Sequence, residues 1–398
     1  MRPGLPTRVF PEVLAALIVL AGCADTVGSP AVATSPSASP ARAEFASTPT
    51  PSLSTPVTPA SVAPASAAPA SAEPTPEPTA APTPPPAVTP KPTPAPALRA
   101  GEVAYVAVTV ATGWHRPTSP RTVDAPALAN PVRIRAWLAG LSNDEQAGLI
   151  GRVDTQVLLG DAVLVTELTK TWARVVVPDQ ATPLDRRGYP AWIPRRQLTA
   201  IGPAAAPDAA IATIIVRTAW LETDRGARLV EASFATRLPV VKRTDARVQV
   251  ALPGGRAAWL PSTSVSIRSP GEPALLPDAR SVVAMARQFL GLRYLWGGTS
   301  GFGLDCSGLV YLVYRVHGIT LPRDAAPQSA VGAAVAPASR APGDLVFFAR
   351  NGDVHHIAVW IGGGKLIEAP QVGTPVRVVS LAALPYRREL SVTRRVLE

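Results

Sequence analysis

Cysteine is almost absent from this chain of 398 residues, which holds only Cys23 and Cys306. The two are so far apart that a disulfide framework is a poor explanation for them. No cysteine and histidine spacing of the zinc-binding kind occurs, and adjacent residues such as His355 and His356 would point to opposite faces of a strand. We therefore expect neither a metal site nor a cofactor.

Aromatic residues are also scarce, at 5% of the chain, and no basic cluster with interleaved aromatics appears. For this reason we expect no nucleic-acid partner. The net charge is nevertheless +10, and its arginines are spread without long runs. Such a surface favours anionic partners such as cell-wall polymers or lipid headgroups.

No hydrophobic run approaches the ~20 residues needed to span a bilayer. The longest N-terminal run, Val13 to Leu20, follows Arg2 and Arg8, which is typical of a signal peptide over residues 1–22. The sequence "LAGC" that ends at Cys23 resembles a bacterial lipoprotein signal. The resemblance implies a lipid on Cys23 and an extracytoplasmic, membrane-anchored protein that faces the wall. An ordinary secretion signal or a chance cysteine is the alternative.

Residues 23–98 consist largely of Pro, Ala, Ser and Thr, as in "PTPEPTAAPTPPPAVTPKPTPAPA". A segment of this composition cannot bury enough apolar surface to offset its ordering entropy. Proline-rich chains favour an extended conformation. We predict a disordered tether that carries the following domains away from the membrane.

Residues 99–202 predict a small β-barrel with a helical insertion. The stretch 102–110, "EVAYVAVTV", alternates and is rich in β-branched residues, which indicates a strand. Further strand-like segments occupy 156–168, 172–178 and 187–194. In the insertion we expect one helix capped by Asn130 with Pro131 at its first position, and another opened by the capping box "SNDE" at 142–145.

Residues 203–270 predict a second β-unit of short strands divided by turn residues. Its end resembles a bacterial SH3-like barrel, in which a glycine-rich hairpin, here Pro253-Gly254-Gly255, precedes a Trp-Leu pair. Any other small all-β module is the alternative for both units.

Residues 276–398 predict an α+β domain, because helices come first and an antiparallel sheet follows. Asp278 can cap a first helix, and a second helix begins at Cys306 and ends at Gly318. The strand-like segments that follow are 344–349, 356–362, 365–370 and 376–381.

Cys306 at the start of a helix is a candidate nucleophile. Unpaired N–H groups and the positive end of the helix dipole would face its sulfur, which favours the reactive thiolate. Neighbouring N–H groups could also stabilise an oxyanion. A buried structural cysteine is the alternative on this stretch alone.

A cysteine nucleophile needs a base, and His355 and His356 open a strand of the same predicted domain, whereas His115 lies in a different one. His317 lies near the far end of the same helix, about 16 Å away at 1.5 Å per residue. The hairpin through Gly362-Gly363-Gly364 would place His356 and Glu368 on one face as diagonal neighbours. A carboxylate there can orient the imidazole and favour its charged form.

The motifs "YLWGG" 294–298, "DCSGLV" 305–310, "LPRDA" 321–325, "GDLVFF" 343–348 and "HIAVWIG" 356–362 resemble the NlpC-type cysteine peptidases. The resemblance implies a compact papain-like fold, with Cys306 as the nucleophile and His356 as the base. It also implies that Tyr294 helps to bind the oxyanion. The third polar residue of the family is usually His, whereas this chain has Glu368.

The upstream segments resemble the two SH3-like domains that precede the peptidase domain in the YkfC-type subgroup. Those enzymes cut the γ-D-glutamyl–L-diamino acid bond of peptidoglycan stem peptides with a free N-terminal L-Ala. On this resemblance Asp305, Ser307, Tyr189 and Asp154 bind the amine end of the substrate. A helix N-cap is the alternative role of Asp305. For the motif that contains Arg323 and Asp324 we expect a structural role.

The preferred hypothesis is therefore a lipid-anchored wall endopeptidase whose partners are stem peptides. A wall-binding protein with an inactive peptidase domain, and an amidase or acyltransferase on the same fold, are the alternatives.

Overall fold

The computed structural model describes residues 96–397. The predicted signal segment with Cys23 and most of the predicted tether lie outside these residues. Within the described part of the chain, no helix is long and apolar enough to cross a membrane. The strands form two seven-stranded sheets, one six-stranded sheet and one two-stranded hairpin.

The first sheet closes a small antiparallel barrel in the order β3-β2-β6-β5-β4-β1-β7. Its strands are β1 (Val103–Val106), β2 (Val110–Trp114), β3 (Val153–Leu158), β4 (Ala162–Leu168), β5 (Trp172–Val177), β6 (Tyr189–Pro194) and β7 (Leu198–Thr199). The predicted strand at 102–110 is thus interrupted, because its first half pairs with β4 and its end with β3. Three helices lie between β2 and β3: α1 (Ala125–Leu128), α2 (Ile134–Gly140) and α3 (Asn143–Ala147).

The helical insertion begins differently from the sequence prediction at Asn130. Helix α2 starts only at Ile134, and the Asn130–Pro131 peptide bond is cis. The Asn130 amide donates instead to the carbonyl of Arg196. The Asn130 side chain is thus used in a contact with the end of the barrel and does not cap a helix. The predicted capping box is confirmed, since the Ser142 hydroxyl accepts from the Glu145 N–H at 3.2 Å.

The second barrel repeats the topology of the first, with the order β10-β9-β13-β12-β11-β8-β14. Its strands are β8 (Ile211–Ile214), β9 (Thr218–Glu222), β10 (Arg228–Ser233), β11 (Arg237–Arg243), β12 (Arg247–Leu252), β13 (Arg256–Pro261) and β14 (Val265–Arg268). Alternating apolar residues fill each barrel with its own cluster of small side chains, mainly Val, Ala, Ile and Leu. This alternation is the period that antiparallel strands require.

The last part of the chain places three helices against a six-stranded sheet, in the order β17-β22-β18-β19-β20-β21. The helices are α4 (Ala279–Arg287), α5 (Cys306–Val316) and α6 (Ala325–Gln328). A small hairpin joins β15 (Thr299–Ser300) to β16 (Gly303–Leu304). The sheet strands are β17 (Ala333–Ala334), β18 (Leu345–Arg350), β19 (Asp353–Gly362), β20 (Lys365–Glu368), β21 (Arg377–Ser380) and β22 (Leu390–Arg395).

Helix α5 is buried along almost its whole length and packs on β19. Asp278 caps α4 and Asp305 caps α5, each through a side-chain oxygen that accepts a backbone N–H. Gly308 is required in the first turn of α5, because a Cβ there would lie 2.0 Å from the carbonyl oxygen of Gly298. The start of this helix is thus pressed against the 295–304 segment.

One hydrophobic cluster joins the first barrel to the last domain. It runs from Trp114 and Trp137 in the barrel and its insertion, through Phe234, to Phe289 and Leu309. Burial of apolar surface stabilises by about 25 cal/mol per Å². The three units therefore share a core, which fixes the first barrel beside the start of α5.

Candidate active site

Cys306 occupies the first residue of α5 as a free, partly buried thiol. Its position follows from the local sequence, because Asp305 accepts the Gly308 N–H at 2.6 Å and ends the extended segment there. Unpaired N–H groups of the first helical turn face this end of the helix. The thiol thus lies where the sequence analysis predicts it.

His356 lies on β19 and reaches Glu368 on β20, with 3.0 Å between Nε2 and Oε2. The register pairs Val359 with Ile367, which places Ala358 opposite Glu368. The predicted contact is therefore present, and it results from the predicted hairpin. Glu368 is fully buried and His356 is 5% exposed.

The His356 imidazole is held in its charged form. Burial alone would lower its pKa, but hydrogen bonds to Cys306 and Glu368 outweigh burial and raise the pKa to about 9. Since Nε2 faces Glu368, Nδ1 is the ring nitrogen left for the Cys306 sulfur. The three side chains form a Cys–His–Glu arrangement suited to nucleophilic catalysis.

Glu368 has two further partners that the sequence analysis does not identify. Arg377 donates to Oε1 from Nε at 2.9 Å and from Nη2 at 2.8 Å, and the Tyr386 hydroxyl donates to Oε2. Burial would raise the pKa of Glu368, but His356, Tyr386 and Arg377 together lower it. Arg377 lies opposite Glu368 in register, so the hairpin argument could have found it. Tyr386 lies outside the strands, between β21 and β22, so no strand register predicts its contact with Glu368.

Tyr294 is 5% exposed and lines the same cavity as Cys306. Burial, with the nearby charges of Cys306 and Asp305, raises the pKa of Tyr294 above its usual range. Its hydroxyl therefore stays protonated and can donate a hydrogen bond to an oxyanion.

The cavity beside Cys306 has a volume of about 530 Å³ and is shared between the first barrel and the last domain. The barrel contributes Asp154 from β3 and Tyr189 from β6, and the last domain contributes Trp296, Asp324 and His355 among others. The barrel is fixed there by hydrogen bonds, for example from Trp296 Nε1 to the Val153 carbonyl at 3.0 Å.

Asp305 and Ser307 are bound to a buried arginine that sequence reasoning leaves in a structural role. Arg323 Nη2 donates to Asp305 Oδ2 at 2.6 Å, and Nη1 donates to Oδ1 at 3.1 Å. The same Nη1 donates to the Ser307 hydroxyl at 3.0 Å. Both residues border the cavity, but protein donors already occupy both oxygens of Asp305. Its geometry is that of a helix cap and ion pair, and amine binding by Asp305 stays a prediction.

Asp154 and Asp324 both border the cavity beside Tyr189. Burial raises the pKa of each carboxyl, and interactions with His115 at Asp154 and with Arg323 at Asp324 offset part of the rise. Burial and the nearby charge of Asp324 raise the pKa of Tyr189 above its usual range, so its hydroxyl stays protonated. Within residues 96–397 Asp154 has one salt-bridge partner, His115 at 3.3 Å, and Asp324 has none. Asp324 is the cavity acid that sequence reasoning misses.

His355 turns toward Glu389, with 2.7 Å between Nε2 and Oε2. Over residues 96–397, no group of three or more His, Cys, Asp or Glu side chains is arranged to hold a metal ion.

Comparisons with known proteins match both parts of this architecture. The model of the NlpC/P60 family matches residues 291–395, and that of the YKFC SH3b2 domain matches residues 214–267. A γ-D-glutamyl-L-lysine dipeptidyl-peptidase of Bacillus cereus (strain ATCC 10987 / NRS 248) is 35% identical over 302 residues, which cover 74% of this chain and 91% of that protein. Its counterpart of Bacillus subtilis (strain 168) is 35% identical over 295 residues, or 73% of this chain and 97% of that protein.

A solved structure shares the whole arrangement of the described domains. The crystal structure of an NlpC/P60 family protein from Bacillus cereus ATCC 10987 is 36% identical, with a TM-score of 0.72. The match covers 75% of this chain and 100% of that one. With two barrels of SH3-like topology ahead of a papain-like domain and a cysteine at the start of its central helix, the chain belongs to the NlpC/P60 family of cysteine peptidases.

Proposed function

We propose that the protein is an endopeptidase that hydrolyses the γ-D-glutamyl–L-diamino acid bond of peptidoglycan stem peptides with a free N-terminal L-Ala. The observation that carries this proposal is the pair of partly buried carboxylates, Asp154 and Asp324, beside Tyr189 at the barrel side of the cavity. Two relatives that cover most of the chain are named for cleavage between γ-D-glutamate and lysine.

Partly buried carboxylates gain from a partner charge, because removing an anion from water is costly. Asp324 has no salt bridge among residues 96–397, and the only one of Asp154 is to the half-exposed His115. A substrate ammonium bound beside these two carboxyl groups would supply a positive charge to them. The free amine of a trimmed stem peptide is such a group.

The reaction follows from the geometry at Cys306. The thiolate attacks the γ-carbonyl carbon of D-Glu, and the Tyr294 hydroxyl and N–H groups at the start of α5 stabilise the oxyanion. His356 gives its Nδ1 proton to the departing amine of the diamino acid as the C–N bond breaks. Water then hydrolyses the thioester, and its proton returns to His356.

The test uses L-Ala-γ-D-Glu-L-Lys and its N-acetylated form as substrates. We expect release of L-Ala-D-Glu from the free peptide, loss of this release in Cys306→Ala, and a rate at least 10-fold lower on the acetylated peptide. The expected factor corresponds to one charge-assisted hydrogen bond, of about 1.5–3 kcal/mol. Products are measured by mass spectrometry, which also separates peptidase from amidase products. Equal rates on both peptides would refute amine recognition.

We also propose that the enzyme is extracytoplasmic and held to the membrane by a lipid on Cys23, with its positive charge favouring contact with anionic wall polymers. The support is the signal-like N-terminus and the net charge of +10. Labelling of cells with a radioactive fatty acid should mark the wild-type protein in the membrane fraction and leave Cys23→Ser unmarked. Equal fractionation of both, without label, would contradict the anchor.

A further inference from the structure

The carboxylate of Glu368 is saturated by donors from three different segments. Oε1 accepts two hydrogen bonds from Arg377, at 2.9 and 2.8 Å. Oε2 faces His356 Nε2 at 3.0 Å and also accepts from the Tyr386 hydroxyl. The side chain is fully buried. A carboxylate with four donors stays ionised and takes no proton from the imidazole.

Arg377 sets the charge balance of the site. It lies directly opposite Glu368 in the β20–β21 pair. Its side chain is 40% exposed, and its guanidinium group binds the Glu368 carboxylate. With imidazolium, carboxylate, guanidinium and thiolate present, the charges sum to zero. Without Arg377, the carboxylate would attract the imidazolium proton unopposed, and His356 would hold that proton more tightly.

Tyr386 contacts His356 with its ring as well as sharing Glu368. The two rings meet edge to face, with centroids 5.5 Å apart and planes at 82°. Tyr386 also meets Phe348 edge to face at 5.1 Å, and Phe348 lies 5.6 Å from His356. The titratable and charged groups around the imidazole are therefore Cys306, Glu368 and Tyr386, with Arg377 behind Glu368.

We propose that Arg377 and Tyr386 are positioning residues of the reaction: Arg377 balances the charge of Glu368, and Tyr386 fixes the plane of His356, so that the imidazolium can still release its proton to the leaving amine. With these two partners, the charged Glu368 binds the imidazolium of His356 no more tightly than a neutral third residue would. Neither residue touches the substrate in this account.

The experiment measures the alkylation of Cys306 by iodoacetamide from pH 5 to 11. The full chain carries Cys23→Ser, which leaves Cys306 as its single thiol. Alkylation should rise in two steps, and the upper one, near pH 9, marks the loss of the His356 proton. In Arg377→Gln we expect this step to move up by about 0.5 to 1 pH unit, the effect of one partly screened charge. Arg377→Lys keeps the charge and should restore most of the wild-type position.

Tyr386→Phe keeps the ring contacts and removes only the hydroxyl, so we expect a smaller upward shift. Arg388→Gln, an exposed arginine on the same segment, is the matched control and should leave the profile unchanged. Thermal unfolding of each variant shows whether it is folded. An upper step that stays in place in folded Arg377→Gln, or that moves equally in Arg377→Lys, would overturn the proposal. The readout needs no substrate, so its failure is distinct from failure of the proposed substrate specificity.

Discussion

At the scale of single residues, chemistry in this cavity is divided between two charged sets. Cys306, His356 and Glu368 supply a nucleophile with an oriented imidazolium, while Asp154 and Asp324 supply acidic groups. Among residues 96–397, only Asp154 of these two has a salt-bridge partner, His115. Neither of these two aspartates transfers a proton in the proposed reaction. Its role in this account is to select which peptide enters.

Asp324→Asn tests that role most simply, because the amide keeps the size and a hydrogen bond toward Tyr189. We expect kcat/KM on L-Ala-γ-D-Glu-L-Lys to fall about 10- to 100-fold, as for the loss of a charged hydrogen bond. The rate on the acetylated peptide should change little. Asp353→Asn removes an exposed carboxylate on β19 and serves as the control. A parallel loss on both peptides would assign Asp324 to folding instead.

At the scale of elements, strand β3 carries both Asp154 and the hydrogen-bonded contact that fixes Asp154 beside the last domain. Two residues after Asp154, the buried Gln156 accepts the Thr299 N–H at 3.2 Å and the Ser300 hydroxyl at 2.8 Å. Thr299 Oγ1 in turn donates to the Gln156 carbonyl at 2.8 Å. The β15–β16 hairpin, just before Asp305, is thereby fixed to the barrel wall.

Gln156→Ala would leave two buried donors on β15 unpaired, the Thr299 N–H and the Ser300 hydroxyl, whereas the bond to the backbone carbonyl would stay. Each such loss costs about 1–3 kcal/mol, so we expect the free energy of unfolding to fall by about 2–4 kcal/mol. Discrimination between free and acetylated peptide should also weaken, since Asp154 loses its fixed distance from Cys306. Gln249→Ala, on the partly exposed face of β12, is the control. Denaturant unfolding and the two-peptide assay give both readouts, and lower stability with full discrimination would contradict the link.

The same elements show how far sequence reasoning reaches. The glycines at the turn of the β19–β20 hairpin fix its register. The contact of His356 with Glu368 could therefore be predicted from the alternation of side chains along the two strands. Asp324 could not, because its place in the cavity depends on how the 321–325 segment lies against β3, a contact distant in the chain. Asn130 does not cap a helix, because its side chain donates to the carbonyl of Arg196, a contact between segments distant in the chain.

At the scale of the whole molecule, two barrels of the same topology have different tasks. Only the first lines the cavity at Cys306. The second supports the hairpin, where the Gly301 N–H donates to Ser233 Oγ at 2.8 Å and a Cβ on Gly301 would lie 1.9 Å from the Arg217 carbonyl. The cavity at Cys306 is thus one that neither domain forms alone.

The most direct test of this account is the protonation state of His356, followed by ¹⁵N NMR of the histidine-labelled chain across pH 5 to 11. Because hydrogen bonds to Cys306 and Glu368 raise its pKa, the imidazolium should persist at pH 7.5 and be lost near pH 9. The ion pair of His356 with Glu368 makes its full contribution to folding stability below about pH 6.5. This contribution is lost as the pH rises through 9. Glu368→Gln should lower the transition. A neutral His356 ring at pH 7.5 in the wild-type protein would contradict the charged Cys–His–Glu arrangement.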